Sequence, residues 1–367
     1  MRVGLIAALL AVSLAAVAGL HMASAGGDKS PPSRRPNIVF FLCDDLGTGD
    51  LACLGSQDMK TPNIDALFAR GTRLSRHWAG SSVCAPSRCV LLTGRHPGHA
   101  VIRSNREVKP EGQASMPADE PSLASYGRHF GDEEPYLCGR GYVPCRRPLT
   151  TYAAMITRMD REVGRIVSLL DELKLTDDTI FVFSSDNGGT MPGMGGLDTK
   201  RLRSNGRLRD WKGSPYEGGL RVPAVAVWPG RIPAGRVIDG PTGFENWLPT
   251  LLDLAGLADR IPRDVDGTSL ASAFLGKAAA SEERMLYREL TEGTWQAAVD
   301  GRWKGIRRAA GPQRLAERGP VELYDLTADP SETKNVADRQ PVVLQPDAEE
   351  PATDDKPARP RVKEPAA

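Results

Sequence analysis

Two pairs of side chains in this 367-residue chain each follow an apolar run: PNIVFFLCDDLG ends in Asp44-Asp45, and TIFVFSSDNGG in Asp186-Asn187. A run that is apolar on both faces reads as a buried parallel strand, and ligands gather at the carboxyl ends of strands in open α/β sheets. Brought to one edge, three carboxylates and an amide make a hard-oxygen set suited to Ca²⁺ or Mg²⁺ rather than zinc. Either pair alone is more simply explained as a turn cap after a strand. Two pairs after two such strands favour a metal.

The stretch VCAPSRCVLLTGR, residues 83–95, poses a second problem, because nothing about packing asks for that order. Pro86 and the apolar run behind it start a helix near Cys84. The cysteine then lies at the positive end of a helix dipole. Arg88, four residues on, projects from the same face about one turn later. A nucleophile, a guanidinium and a helix N-terminus together suit an oxyanion such as sulfate or phosphate. An isolated cysteine ahead of an apolar helix is otherwise a small buried hydrophobe.

These groups need a scaffold. TPNIDALFARG reads as a helix opened by Thr61 and Pro62 and closed by Gly71. In YAAMITRMDREVGRIVSLLDELKL, Met155, Met159, Val163, Ile166, Leu170 and Leu173 recur at spacings of three and four, which marks an amphipathic packing helix. RVPAVAVWPG is a third strand and GFENWLPTLLDLAGL a further helix. Strands alternating with helices imply an α/β fold: a mostly parallel central sheet with helices on both faces. VELYDLTADPSETKNVA, residues 321–337, adds a strand and turn in a small C-terminal sheet element.

With 47 Lys+Arg against 46 Asp+Glu, the net charge is +1, so no global field points to nucleic acid or to an anionic membrane. The first 25 residues have the order of a cleavable signal peptide: Arg2, an apolar run to Leu20, then Ala23-Ser24-Ala25. Export is therefore expected, and no later segment is apolar for long enough to span a bilayer. Of the six cysteines, Cys138 and Cys145 are the most plausible local pair in an exported protein, with at least one thiol elsewhere left free. The expected organisation is a leader at 1–25, a linker at 26–35, a catalytic domain at 36–290, a small subdomain at 291–337 and a disordered tail at 338–367.

The 83–95 stretch resembles the signature of the type I sulfatases, whose Cys-x-Pro-Ser-Arg cysteine is oxidised to formylglycine before folding. Cys84, Pro86, Ser87, Arg88, Thr93, Gly94 and Arg95 all match. PNIVFFLCDD, TPNIDALFARG, SDNGG, WKGSPYEGGLRVP and ELYDLTADPSETKNV agree in order, so the likeness runs from about Pro36 to Ala337. The resemblance implies an alkaline-phosphatase-like fold and one Ca²⁺ held by Asp44, Asp45, Asp186, Asn187 and an oxygen of the converted Cys84. It also implies that Arg88 stabilises the hydrated aldehyde and that Lys212 contacts sulfate. Taken alone, Lys212 is an ordinary solvated loop lysine. The implied partners are a sulfated small molecule or glycan and a formylglycine-generating enzyme, with no nucleic acid and no stable membrane partner.

The family's Gly-Lys-Trp-His-Leu-Gly motif and its later Pro-His are not intact. SLASYGRHFGD passes almost directly to the long helix, as though an internal block were missing. YGRHFGD offers Arg128 and His129 in their place, which makes His129 the candidate acid for the leaving group. Adjacent residues on a strand point to opposite faces, however, so only one of the two reaches a common site. His99, near the signature, is a candidate for the pocket border. Three functions are compatible with this set: a calcium-dependent sulfatase, a catalytically dead relative that binds sulfated ligands, and a phosphate or phosphonate ester hydrolase.

Overall fold

The computed structural model describes residues 35–100, 102–103, 105, 129–130, 132–137, 144–277, 285–290, 295–309 and 318–340, together with the backbone of 345–346 and 360–361. The expected leader, Arg128 and Cys138 lie outside these residues, as does most of the expected tail. Among the described residues no helix is long and apolar enough to cross a membrane.

The central sheet is built from β1 (Asn37–Cys43), β2 (Thr72–Trp78), β3 (Thr179–Ser185), β4 (Ala224–Val227) and β5 (Arg236–Gly243). Their spatial order is β1-β3-β4-β2-β5. β3 is buried along its whole length, and its alternation sorts the core. Phe181 and Phe183 enter one cluster, against α1 (Pro62–Arg70) and α3 (Pro148–Glu172). Ile180 and Val182 enter another, near α2 (Cys84–Thr93) and α5 (Trp247–Leu254). A period of two thus fills both faces of one strand.

The sheet is mixed, which qualifies the mostly parallel expectation. β1 pairs parallel with β3 and β2 with β5, while β4 is antiparallel to both β3 and β2. After β3 the chain stays on the carboxyl edge: the Gly188 N–H donates to the Gly219 carbonyl, just after α4 (Glu217–Leu220) begins. β4 therefore starts at the edge where β3 ended, with Ser184 opposite Ala224, and must run back.

α3 forms as expected, but its buried stripe is Ala153, Ile156, Asp160 and Val163, while Met155 and Leu173 are exposed. Asp160 is buried because it serves α1: its carboxylate accepts from the N–H groups of Asn63 and Ile64 at 3.0 and 2.8 Å. This supplies the free donors of a helix start with an anion. Among the described residues β1 pairs only with β3, so it is an edge strand, and Ile38 is 43% exposed.

A four-stranded antiparallel sheet follows, in the order β6 (Leu286–Leu290), β7 (Trp295–Asp300), β8 (Trp303–Ala309) and β9 (Arg318–Asp325). Residues 345–346 and 360–361, in the tail expected to lack structure, form a two-residue antiparallel pairing.

Candidate active site

α2 begins at Cys84, after Val83 in extended conformation. Pro86 sits in the first turn, where its missing N–H costs nothing. Ser87 is fully buried, and its Oγ accepts from the Gly80 N–H at 3.0 Å, which locks the approach to the helix. No side chain at the cap position serves the first turn. Asn105 Oδ1 instead accepts from the Ala85 N–H at 2.9 Å. Sequence reading missed Asn105, since nothing in a pattern marks a side chain that caps a helix from a later loop.

The two strand-end pairs do meet at α2. Asp45, at a left-handed φ of 58°, turns the chain after β1. Its N–H donates to Asp186 Oδ1 at 3.2 Å, and Asn187 Nδ2 donates to Asp45 Oδ1 at 2.7 Å. Cys84 Sγ lies 3.3 Å from Asp44 Oδ1 and 3.9 Å from Asp45 Oδ1. Arg88 donates through Nε and a terminal nitrogen to Asp186 Oδ2 at 3.0 and 2.7 Å, and it also reaches Asp44 at 3.2 Å. Lys212 Nζ lies 2.7 Å from the Asp45 carboxylate and 3.2 Å from Cys84 Sγ. The loop carrying Lys212 is close because Gly188 and Gly218 pack backbone to backbone: a Cβ on Gly188 would fall 1.8 Å from the Gly218 carbonyl oxygen.

The electrostatics are those of a cation site. Burial pushes the Asp186 carboxyl up to about 6, with Asp44 adding and the Asp45 N–H and Arg88 opposing. Burial pushes the Cys84 thiol up to about 12, with Asp186 and Asp45 adding and Lys212 opposing. An unmodified Cys84 is thus a protonated thiol at neutral pH and a poor nucleophile. Ligand atoms of Asp44, Asp45, Cys84 and Asp186 all lie within 4.8 Å of one another. Asn187 Oδ1 is buried and has no hydrogen-bond partner, so it is an acceptor left for a cation. The donor set fits a hard divalent ion.

His129 is not in this cluster. Its Nε2 lies 2.8 Å from Asp58 Oδ1, and its ring packs on Phe130. His77 is buried between Thr242 and the Trp247 indole N–H, and burial followed by Arg288 lowers it to about 3, so it stays neutral. His96 and His99 meet Asp266 beyond the far end of α2. The Gly98 N–H donates to His96 Nδ1, which leaves the proton of a neutral ring on Nε2. Ligand atoms of His96, His99 and Asp266 lie within 4.8 Å of one another, in a group separate from the Cys84 cluster. Among the described residues no histidine joins the Cys84 cluster. Cys145 Sγ donates to Thr151 Oγ1 at 3.2 Å, and the partner expected for it, Cys138, lies outside the described residues; Cys43, Cys53, Cys84 and Cys89 are free thiols.

Comparison with known proteins bears on the fold and the family. The N-acetylgalactosamine-6-sulfatase of Canis lupus familiaris is 28% identical over 380 residues, covering 73% of this chain and 72% of that protein. The aligned length exceeds the residues this chain contributes, so the relative carries residues that this chain lacks. The crystal structure of Ps i-CgsB in complex with k-i-k-neocarrahexaose superposes with a TM-score of 0.64 at 21% identity, covering 83% of this chain and 89% of that one. The phosphonate monoester hydrolase of Agrobacterium radiobacter gives a TM-score of 0.57 at 19% identity, over 83% and 92% of the two chains. The fold is therefore the alkaline-phosphatase-like one. A model described as N-sulphoglucosamine sulphohydrolase, C-terminal, matches residues 211–345. The Sulfatase family model matches residues 36–126 and 119–257, two stretches that overlap where the missing block was expected. With the motif residues gathered around Cys84, this match shows that the chain belongs to the sulfatase family.

Proposed function

We propose that this chain hydrolyses a sulfate ester, aryl or carbohydrate, with residue 84 in its formylglycine form as nucleophile and one Ca²⁺ bound beside it. The observation that carries the reading is the convergence on Cys84 Sγ of Lys212 Nζ at 3.2 Å and Asp44 Oδ1 at 3.3 Å, with Arg88 joined to Asp44 and Asp186. Sγ stands in for an oxygen of the converted side chain. Asp44, Asp45, Asp186 and Asn187 hold the cation, which supplies positive charge against the sulfate oxygens. In the hydrated aldehyde one hydroxyl, giving up its proton, would bond to sulfur as the ester S–O bond breaks and the alcohol leaves with a proton. Proton loss from the second hydroxyl would then break the bond between the nucleophile's carbon and the sulfated oxygen, releasing sulfate and restoring the aldehyde. Lys212 neutralises the transferring group, and Arg88 holds the attacking oxygen against the helix N-terminus. A formylglycine-generating enzyme and export by the N-terminal leader complete the proposed maturation.

A second reading rests on the histidines. With His129 on Asp58 and no imidazole at Cys84 among the described residues, the leaving oxygen has no acid from that source. Losing a general acid costs about 10²–10⁴ in rate. Aryl sulfates, whose leaving groups need little protonation, then suffer least, and an impaired protein retains sulfated ligands without turning them over. The test is calcium-dependent hydrolysis of nitrophenyl sulfate and nitrophenyl phosphate by the converted protein. Sulfate release that vanishes in Cys84→Ala supports the proposal, and release that survives it overturns the nucleophile. Retention of a sulfated glycan without release selects the impaired form.

A further inference from the structure

The Lys212 loop is clamped at both ends by the C-terminal sheet. At one end the Trp295 Nε1–H, on β7, donates to the Gly213 carbonyl at 3.2 Å. The Gly213 N–H donates the other way, to the Ser82 carbonyl at 2.8 Å, two residues before Cys84. The Lys212 N–H donates to the Gly189 carbonyl at 2.9 Å, two residues after Asn187. The peptide around Lys212 is thus strung between the cation loop, the approach to α2 and β7.

At the other end of the loop Glu217 is fully buried, and its carboxylate accepts from Lys304 Nζ on β8 at 2.8 Å. Lys304, also fully buried, lies 2.9 Å from Glu332, whose carboxylate takes the Glu217 N–H at 2.6 Å. Arg209 opens the loop by donating to the Tyr324 hydroxyl at 3.1 Å and the Glu332 carbonyl at 2.9 Å. The motifs WKGSPYEGG and ELYDLTADPSETKNV, far apart in the chain, are thereby two sides of one ion cluster.

We propose that the C-terminal sheet is a working part of the anion site: Trp295 is a positioning residue that sets Lys212 through Gly213, and the Glu217–Lys304–Glu332 cluster fixes the far end of the same loop. The inference rests on the reading of Lys212 as an oxyanion ligand. A lysine bound at 2.7 and 3.2 Å to two groups of the site loses both contacts if its backbone moves by roughly 1 Å, a displacement that costs on the order of 10² in rate.

The experiment uses the full chain. Trp295→Phe keeps an aromatic ring, smaller than the indole, and deletes the donor, and Arg209→Gln removes the donors at the opposite end together with the guanidinium over the Tyr216 ring. Hydrogen exchange read by mass spectrometry should show the Lys212 and Gly213 amides exchanging about tenfold faster in Trp295→Phe, the size expected for one lost hydrogen bond, with β4 unchanged. Converted Trp295→Phe should also show a fall in kcat/KM for nitrophenyl sulfate carried mainly by kcat, with normal aldehyde content at residue 84. Unchanged exchange at Lys212 and Gly213 in both variants overturns the inference, as does acceleration spread equally over β4. If the unsubstituted protein turns nothing over, the sulfatase reading fails on its own, while the exchange result still decides whether the sheet holds Lys212.

Discussion

Replacing Lys304 by methionine removes the lysine from a buried cluster whose other charged members are Glu217, Glu332 and Arg221. Lys304 is fully buried, as is Glu217, and its Nζ lies 2.8 Å from Glu217 and 2.9 Å from Glu332. Methionine keeps most of the volume, so the cost comes from carboxylates stranded away from water. Removing one partner of a buried ion pair costs about 3–5 kcal/mol. Arg221, which lies 2.5 Å from Glu217, limits the damage there, so Glu332 bears most of it. The dependence on pH identifies the cause. Burial raises Glu332 to about 7, Lys304 opposing and Glu217 adding, so its contribution is complete below its ordinary 4.5 and is lost as pH rises through 7. Glu217 behaves oppositely: burial raises it, but Arg221 and Lys304 prevail and lower it to about 2, so its contribution holds above 4.5 and is lost as pH falls through 2. Without Lys304 the Glu332 carboxyl rises further, and the deficit must be larger at pH 8 than at pH 5.5. Urea unfolding followed by tryptophan fluorescence at the two pH values measures it as a shift in midpoint at constant slope. A loss below about 1 kcal/mol, or an equal loss at both pH values, would refute the claim that buried charge holds the C-terminal sheet to the catalytic domain.

Other outcomes follow from the same contacts. Ca²⁺ at a hundred times its dissociation constant should stabilise the protein by about 2.7 kcal/mol, and Asp186→Ala should abolish that gain; thermal melts with and without chelator read it. Asp50 is fully buried with Oδ1 unpartnered, and burial raises it to about 7 against hydrogen bonds from Tyr152, Ser204 and Gly47. Its contribution is complete below 3.8 and lost as pH rises through 7, so Asp50→Asn should gain stability over the parent at pH 8 and not at pH 5 in urea titrations. His129→Ala should leave the rate and pH profile of aryl sulfate hydrolysis unchanged, because that ring is held by Asp58; a lost acidic or basic limb would return His129 to the mechanism.

The parts of the site written in local order were readable without a structure. Apolar runs ending in Asp44-Asp45 and Asp186-Asn187, and a helix opening at Cys84, are properties of neighbouring residues, and β1, β3 and α2 place them together as expected. The direction of β4 was not readable, because it depends on which edge the loop after Asn187 follows. Nor was the partner of His129, since Asp58 lies 71 positions away. Trp295 meets Gly213 across 82 positions and Lys304 meets Glu217 across 87. A buried lysine in a strand carries no local mark that separates it from a solvated one.

The central claim is that residue 84 acts as an aldehyde and not as a thiol, and mass spectrometry of the peptide spanning Val83–Arg88 tests it most directly. After co-expression with a formylglycine-generating enzyme, the account predicts that this peptide carries an aldehyde, detectable by mass and by capture with a hydrazide. A peptide that retains the Cys84 thiol throughout, in folded protein, would contradict it.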